Sequence, residues 1–258
     1  MKRYPKYLFY ATLLDGLQSW LSSNEIYQEY WGFSEDPAKS EDEFEKEQFQ
    51  SIINRINRVP MAWEDSEAAD RGTAFNEAVD CLIERRKSDK MELKSDKDTN
   101  MIVANYNKRD FFFPISLVRE FAEYFKGAST QIYTEAILPT KYGDALLYGY
   151  IDELLPCSAH DIKTTGKYKV GKFRSNWQHI VYPFCLNANG NDIKDFEYNV
   201  AELNRTCSTF TEHYNYMPAR DIPRLVLHVE RLIEFVEANK HLITDLKIFN
   251  QHKNYVTN

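Results

Sequence analysis

Two aspartates and a lysine are spaced so that they could do chemistry together: Gly149-Tyr-Ile-Asp152 and, nine residues later, Asp161-Ile-Lys163. The segments Leu146–Leu154 and Ala159–Thr164 have strand composition, and Pro156-Cys157 between them suits a two-residue hairpin turn. Such a turn pairs Leu155 with Ser158 and brings Asp152 opposite Asp161. Opposed residues share a face, with Cβ atoms about 5 Å apart. Lys163, two residues beyond Asp161, shares that face. Opposed carboxylates repel; a divalent cation with oxygen ligands relieves the repulsion, and the lysine adds a second positive charge. Two acids, a divalent cation and a lysine are sufficient equipment to hydrolyse a phosphodiester.

An Asp-x-Lys triplet alone carries little, because the chain has three: at Asp161, Asp192 and Asp245. Only the first has an upstream acid on a facing strand. Its neighbourhood also differs in charge. From Ile162 to Asn191 there is no Asp or Glu, while Lys163, Lys167, Lys169, Lys172 and Arg174 alternate with Tyr168, Phe173 and Trp177. A basic stretch inside a chain of net charge −7 suits a phosphate backbone, with rings placed to stack on bases. A solvated basic loop is the plainer alternative. Asn76 and Asp80, four apart on a helix, share a face, so Asp80 is a candidate further metal ligand. Glu135 sits mid-strand between Tyr133 and Ile137 at i±2, where a carboxylate needs a partner or belongs to the site. Gln178 and Tyr182, four apart after the basic loop, could hydrogen-bond a nucleotide or simply pack.

The elements that must hold these residues can be read from periodicity. Ala11–Leu21 carries an apolar helical stripe. Residues 35–47 are acid-rich and read as solvated, and Phe49–Ile56 continues as a helix towards Pro60. Glu67–Lys87 is a helix, with Ala68, Phe75, Val79 and Leu82 on its apolar face. The polar segment 87–100 reads as a loop. Pro114 opens a helix over Ile115–Lys126. Strands follow over Gln131–Leu138, Leu146–Leu154 and Ala159–Thr164, then a helix over Asn176–Leu186 that Pro183 kinks. Two more strands, Phe196–Asn204 and Thr209–Tyr216, precede a long amphipathic helix over Pro223–Phe249. The expectation is one α+β domain over 1–258, with helices around a mixed sheet. It divides into an N-terminal helical part (1–60), a catalytic core (61–190) and C-terminal strands and helix (191–258).

Composition bounds the reading. At 43% hydrophobic and 28% charged, the chain can bury a full core without staples. A net charge of −7 excludes a surface coated with basic residues but not a local basic patch. Cys81, Cys157, Cys185 and Cys207 stand far apart, with no Cys-x-x-Cys pair, so there is no zinc signature and a reduced cytoplasmic protein is expected. The basic, then apolar N-terminus (1–14) lacks a small-residue cleavage site and is not read as a signal peptide. No apolar stretch is long enough to span a bilayer, so no membrane partner is expected.

Together, Gly-Tyr-Ile-Asp152, Asp161-Ile-Lys163-Thr-Thr and Gln178-x-x-x-Tyr182 resemble the PD-(D/E)XK nucleases of the RecB-like and phage exonuclease branch. Arg71-Gly-Thr-Ala-Phe-Asn76-x-x-x-Asp80 resembles the upstream helix of that branch, and Tyr10-Ala-Thr-Leu-Leu-Asp-Gly-Leu17 more faintly its opening helix. The resemblance covers roughly residues 65–190 and implies a restriction-endonuclease-like core. It implies that Asp152 and Asp161, with the carbonyl of Ile162, bind Mg²⁺ or Mn²⁺. It gives Lys163 the attacking water or the developing charge, makes Glu135 the acid of the first core strand, and has Gln178 and Tyr182 support substrate placement. DNA is the implied substrate, and a recombinase or helicase the implied kind of partner. Two positions depart from the pattern: Asn76 replaces a histidine, and Asp80 is shorter than the usual glutamate. The cysteine spacing does not match that of relatives with an iron–sulfur cluster, so no cluster is expected.

Two other readings remain open at this point. One is a nucleic-acid-binding protein that keeps the fold without catalysis. The other is a P-loop, since Gly166-Lys-Tyr-Lys-Val-Gly171-Lys172 follows a strand, although Phe173 replaces the Ser or Thr that holds Mg²⁺.

Overall fold

In the computed structural model, which describes residues 4–250, a short strand opens the chain. This is β1 (Tyr7–Tyr10), followed by α1 (Ala11–Leu21), α2 (Ser23–Trp31) and α3 (Glu41–Ile56). Next come α4 (Glu67–Glu84), a small antiparallel sheet of β2 (Glu92–Asp96), β3 (Met101–Tyr106) and β4 (Arg109–Pro114), and α5 (Ile115–Tyr124). The chain continues with β5 (Ser129–Leu138), β6 (Ala145–Leu155), β7 (Ser158–Thr165) and α6 (Gln178–Ala188). The described residues end with β8 (Asp195–Glu202), β9 (Ser208–Asn215), α7 (Pro218–Ala238) and short 3₁₀ turns. Met1–Arg3, part of the basic N-terminal run, lie outside the described residues.

The main sheet is mixed and six-stranded, in the order β1-β6-β7-β8-β9, with β5 on the other edge of β6. Helices cover one face of it and the β7–β8 part of the other. Leu147, Ile151, Phe196 and Tyr198 pack in one core cluster with α1, α6 and the apolar stripe of α7. Ile162 and Ala201 pack in a second cluster with Phe75 and Val79 of α4, Val118 of α5 and the small sheet. The expected arrangement of helices around a mixed sheet is therefore the observed one.

Several expected boundaries shift, each for a local reason. Residues 35–47 are not simply solvated: Ser40 and Glu43 form a capping box that starts α3 at Glu41, with Glu41, Asp42 and Glu43 in its first turn. The segment 87–100 is not a loop throughout, because β2 occupies Glu92–Asp96. β3 and β4 join through Asn107 and Lys108, both at positive φ, as a tight hairpin turn requires. The last helix begins earlier than Pro223 and ends well before Phe249. Pro218 opens α7, and after Ala238 the chain passes into 3₁₀ turns that bury Ile248 and Phe249.

The feature that matters for the site is a fork in the sheet. β5 accompanies β6 along its length. The opposite edge of β6 is shared: β1 pairs with Ala145–Tyr148 and β7 with Glu153–Leu155. The stretch 149–152 lies between them, with neither as ladder partner. The turn sets Leu155 opposite Ser158 as expected, but the ladder stops at Glu153 and His160, one pair short of Asp152 and Asp161. There β7 leaves β6, while its other edge stays paired in parallel with β8 from Ser158 to Thr165. The strand faces exchange at the same place. Leu147 and Ile151 face the α6 side, whereas Glu153 interacts with Asp80 of α4. On β5, Gln131 is in the left-handed region, with φ 50°.

Candidate active site

The fork gathers residues from four elements. β6 supplies Asp152, β7 supplies Asp161 and Lys163, α6 supplies Gln178 and Tyr182, and α4 supplies Asn76 and Asp80. The start of α6 is fixed from outside the site. Asp15 Oδ1 on α1 accepts the Trp177 N–H at 2.5 Å, and the Trp177 ring stacks on His228 of α7 at 4.0 Å. Gln178 then points at the strands. Its Nε2 donates to Asp161 Oδ1 at 2.6 Å, and its Oε1 accepts from Lys163 Nζ at 2.9 Å. Lys163 Nζ also lies 2.6 Å from Asp161 Oδ2, closing a three-membered network. That oxygen has the ion pair but no hydrogen bond of good geometry.

Gly149 makes room for Tyr182. A Cβ at position 149 would come within 2.7 Å of the Tyr182 ring. Such a contact forces either ring or strand to shift, and overpacking of this kind costs about 1–3 kcal/mol. Gly149→Ala should therefore lower the melting temperature by several degrees, about 2–4 °C per kcal/mol at this size. An unchanged melting temperature would mean that the ring moves freely and does not brace β6.

Asp152 lies in the fork itself. Its Oδ2 accepts the Ile162 N–H at 2.9 Å and Asn76 Nδ2 at 3.1 Å, and its Oδ1 accepts Gln131 Nε2 at 3.4 Å. Burial, reinforced by the charge of Asp161, pushes its carboxyl up to about 7. Lys163 is opposed by burial, but the Asp161 carboxylate beside it and Asp152 outweigh that, so its pKa is raised and it stays an ammonium. Asp80 and Glu153 are 1% and 0% exposed and face each other as a carboxyl pair, and no other residue donates to any of their four oxygens. Burial raises both carboxyls, and their mutual proximity raises Glu153 further.

This donor set suits a hard divalent cation: carboxylates from three strands or helices, Asp80 and Glu153 facing only each other, and an unpaired Oδ1 on Asn76. As the side chains stand, no three His, Cys, Asp or Glu among the described residues converge to hold a metal. Asp161 is turned to Lys163, and Asp152 to the Ile162 N–H.

Other expected site residues fall elsewhere. Glu135 is exposed, accepts from the Tyr133 hydroxyl, and is in register with Tyr148. It stands four residues along β5 from Gln131, the residue beside Asp152, or about 13 Å. Trp177 cannot stack on DNA, because it is 8% exposed and packed on His228. The other rings of the loop are also packed, Tyr168 on Phe210 at 4.4 Å and Phe173 against Tyr198. Lys167, Lys169, Lys172 and Arg174 are exposed. Lys169 pairs with Glu29, and Lys172 donates to Thr165 Oγ1 and the Lys167 carbonyl. The P-loop reading is overturned by the chain path. After Gly171 come turns, and α6 opens only at Gln178, so no helix N-terminus faces the loop. Sequence reasoning missed Glu153, Gln131 and Asp15. Strict alternation sends Glu153 to the face opposite Asp152, and only the face exchange at the fork brings it beside Asp80.

No family model matches the chain, and no curated protein matches it. The solved structures that resemble it include the following two. SSO0001 is 14% identical with a TM-score of 0.36, over 47% of this chain and 55% of its own, so this chain spans little more than half of it. A candidate exonuclease from Eubacterium rectale is 14% identical with a TM-score of 0.42, over 80% of this chain and 75% of its own. Likeness at this level carries no functional argument, which rests on the residues. No helix among the described residues is long and apolar enough to cross a membrane.

Proposed function

We propose that the chain is a metal-dependent DNA nuclease of the PD-(D/E)XK type. The observation that carries this reading is the Lys163–Asp161–Gln178 network beside Asp152, at a fork that also buries the Asp80–Glu153 carboxyl pair with no donor from another residue. Asp152 and Asp161, assisted by Asp80 and the carbonyl of Ile162, would hold Mg²⁺ or Mn²⁺. Such a cation lowers the pKa of water and polarises a scissile phosphate. Lys163, kept as an ammonium and aimed by Gln178, offsets negative charge as it develops on the phosphoryl oxygens. Tyr182 braces β6 through Gly149 and keeps Asp152 in place. An exonuclease acting in DNA processing or phage-type recombination, with a recombinase or helicase as partner, is the finer form of this reading and rests on the family resemblance.

The test is incubation with linear and closed-circular duplex DNA in Mg²⁺, Mn²⁺ or EDTA. Loss of linear DNA in either metal, none in EDTA and survival of the circle support a metal-dependent exonuclease. Loss of both supports an endonuclease, and no loss in any metal leaves only the binding-protein reading. The exposed lysines supply a second check. Reversing Lys167, Lys169 and Lys172 to Glu should weaken DNA binding and flatten its dependence on log salt by about one unit per lost phosphate contact. An unchanged slope would place the DNA on another surface.

A further inference from the structure

The outward face of β5, β6 and β1 carries a row of tyrosines. Tyr133 and Tyr150 are in register across β5 and β6, as Tyr148 and Tyr10 are across β6 and β1. Their rings form a continuous chain, with centroids 5.3 Å apart for Tyr133 and Tyr150, 6.5 Å for Tyr133 and Tyr148, and 6.3 Å for Tyr148 and Tyr10. Their strand neighbours Tyr7, Phe9, Leu147 and Ile151 are fully buried on the other face. Tyr150 and Tyr133 remain 59% and 48% exposed, which is unusual for rings so large. Tyr150 precedes Asp152 by two residues, about 7 Å along β6.

We propose that this row is the bed on which unpaired bases of one DNA strand stack as the strand reaches Asp152. This rests on the nuclease reading and adds a substrate path to it. Aromatic faces accept any base, because every base has a π-face. Three of the four hydroxyls are held by hydrogen bonds: Tyr133 donates to Glu135, Tyr10 donates to the Arg55 carbonyl at 2.8 Å, and Arg58 Nη2 donates to the Tyr148 hydroxyl at 2.7 Å. Arg58 also lies over the Tyr10 ring at 5.8 Å and pairs with Asp245 at 3.1 Å. It places a cation for the backbone along one side of the row. Glu135, on the other side, repels phosphates. The strand therefore lies with its backbone toward Arg58 and its bases over Tyr150 and Tyr133. Flat, hydroxyl-tipped rings beside one guanidinium fit nucleobases better than the irregular apolar surface of a protein partner.

The experiment measures binding, not cleavage. Full-length protein without divalent metal is titrated against a labelled twelve-nucleotide thymidine strand and against an abasic strand with the same phosphates. The wild type should prefer the base-bearing strand by about tenfold or more, in line with stacking on two rings. Tyr150→Leu combined with Tyr133→Leu should remove that preference and leave the abasic affinity in place. Tyr150→Phe combined with Tyr133→Phe should keep the preference, since the rings remain. Equal affinity of the wild type for both strands, no measurable binding of either, or a preference that survives the leucine pair would overturn the proposal. Wild-type hydrolysis of bis(p-nitrophenyl) phosphate with Mn²⁺ tests the chemistry separately. A base preference without hydrolysis keeps the stacking bed and removes the nuclease; hydrolysis without preference does the reverse.

Discussion

Asp161→Asn should lower single-turnover cleavage of duplex DNA by roughly a thousandfold or more, because the amide is a poor ligand for a hard cation. Two effects add. The lost charge weakens metal binding, and Lys163 Nζ loses the carboxylate that now lies 2.6 Å away. Gln178 Nε2 keeps an acceptor in the new side chain, so the fold should survive with little change in melting temperature. Lys163→Ala should cost about 10²–10³-fold, the scale for removing one group that stabilises developing charge. Its DNA affinity should stay close to wild type, since binding draws on many phosphate contacts. Rates within tenfold of wild type for Asp161→Asn would remove this aspartate from the chemistry.

The metal-free protein should become less stable as pH rises from about 5.5 to 8, and Mn²⁺ should reverse the loss. Burial pushes the Asp15 carboxyl up to about 6 and Asp152 up to about 7, and raises Asp80 and Glu153. A carboxyl whose folded pKa lies above its unfolded value stabilises fully below the unfolded pKa. That contribution is lost as pH rises through the folded pKa. Buried His179 and His228 work the other way. Burial lowers both to about 4, so their contribution is present above about 6.5 and is lost as pH falls towards 4. Four acids outweigh two histidines in the upper window, for a loss of roughly a few kcal/mol. That corresponds to a fall of about 5–10 °C in melting temperature. Mn²⁺ at pH 8 replaces the missing protons and raises the melting temperature by binding only the folded state. Thermal unfolding at pH 5.5, 7 and 8, with EDTA or Mn²⁺, checks this. A melting temperature that climbs from pH 5.5 to 8 and ignores Mn²⁺ would show that these acids neither hold protons nor await a cation.

The parts of this fold that local patterns encode were legible. The stripe of α1 fixed its bounds, and the Pro156-Cys157 turn fixed the register of β6 and β7 at Leu155 and Ser158. Gln178 and Tyr182, four apart, do meet Asp161, Lys163 and Gly149. What failed depends on contacts distant in sequence. Whether Asp152 stays paired to Asp161 depends on β1, from far up the chain, which takes the same edge of β6 at Ala145–Tyr148, while β7 continues along β8 on its other edge. Glu135 was placed by its strand but not by its register, and the register sets it opposite Tyr148. Trp177 has the composition of a stacking residue, yet His228 of α7 covers it. The tyrosine row has no signature in the sequence, because its members come from three strands and share no motif.

The most direct measurement replaces one non-bridging oxygen of the scissile phosphate by sulfur and follows single-turnover cleavage in Mg²⁺ and in Cd²⁺. Sulfur binds Mg²⁺ poorly and softer cations well. If a cation held at Asp152 and Asp161 touches the scissile phosphate, one phosphorothioate isomer is cleaved far more slowly than the oxygen substrate in Mg²⁺, and Cd²⁺ restores its rate relative to oxygen. Equal rates for sulfur and oxygen in both metals, or cleavage that persists in EDTA, would contradict the account.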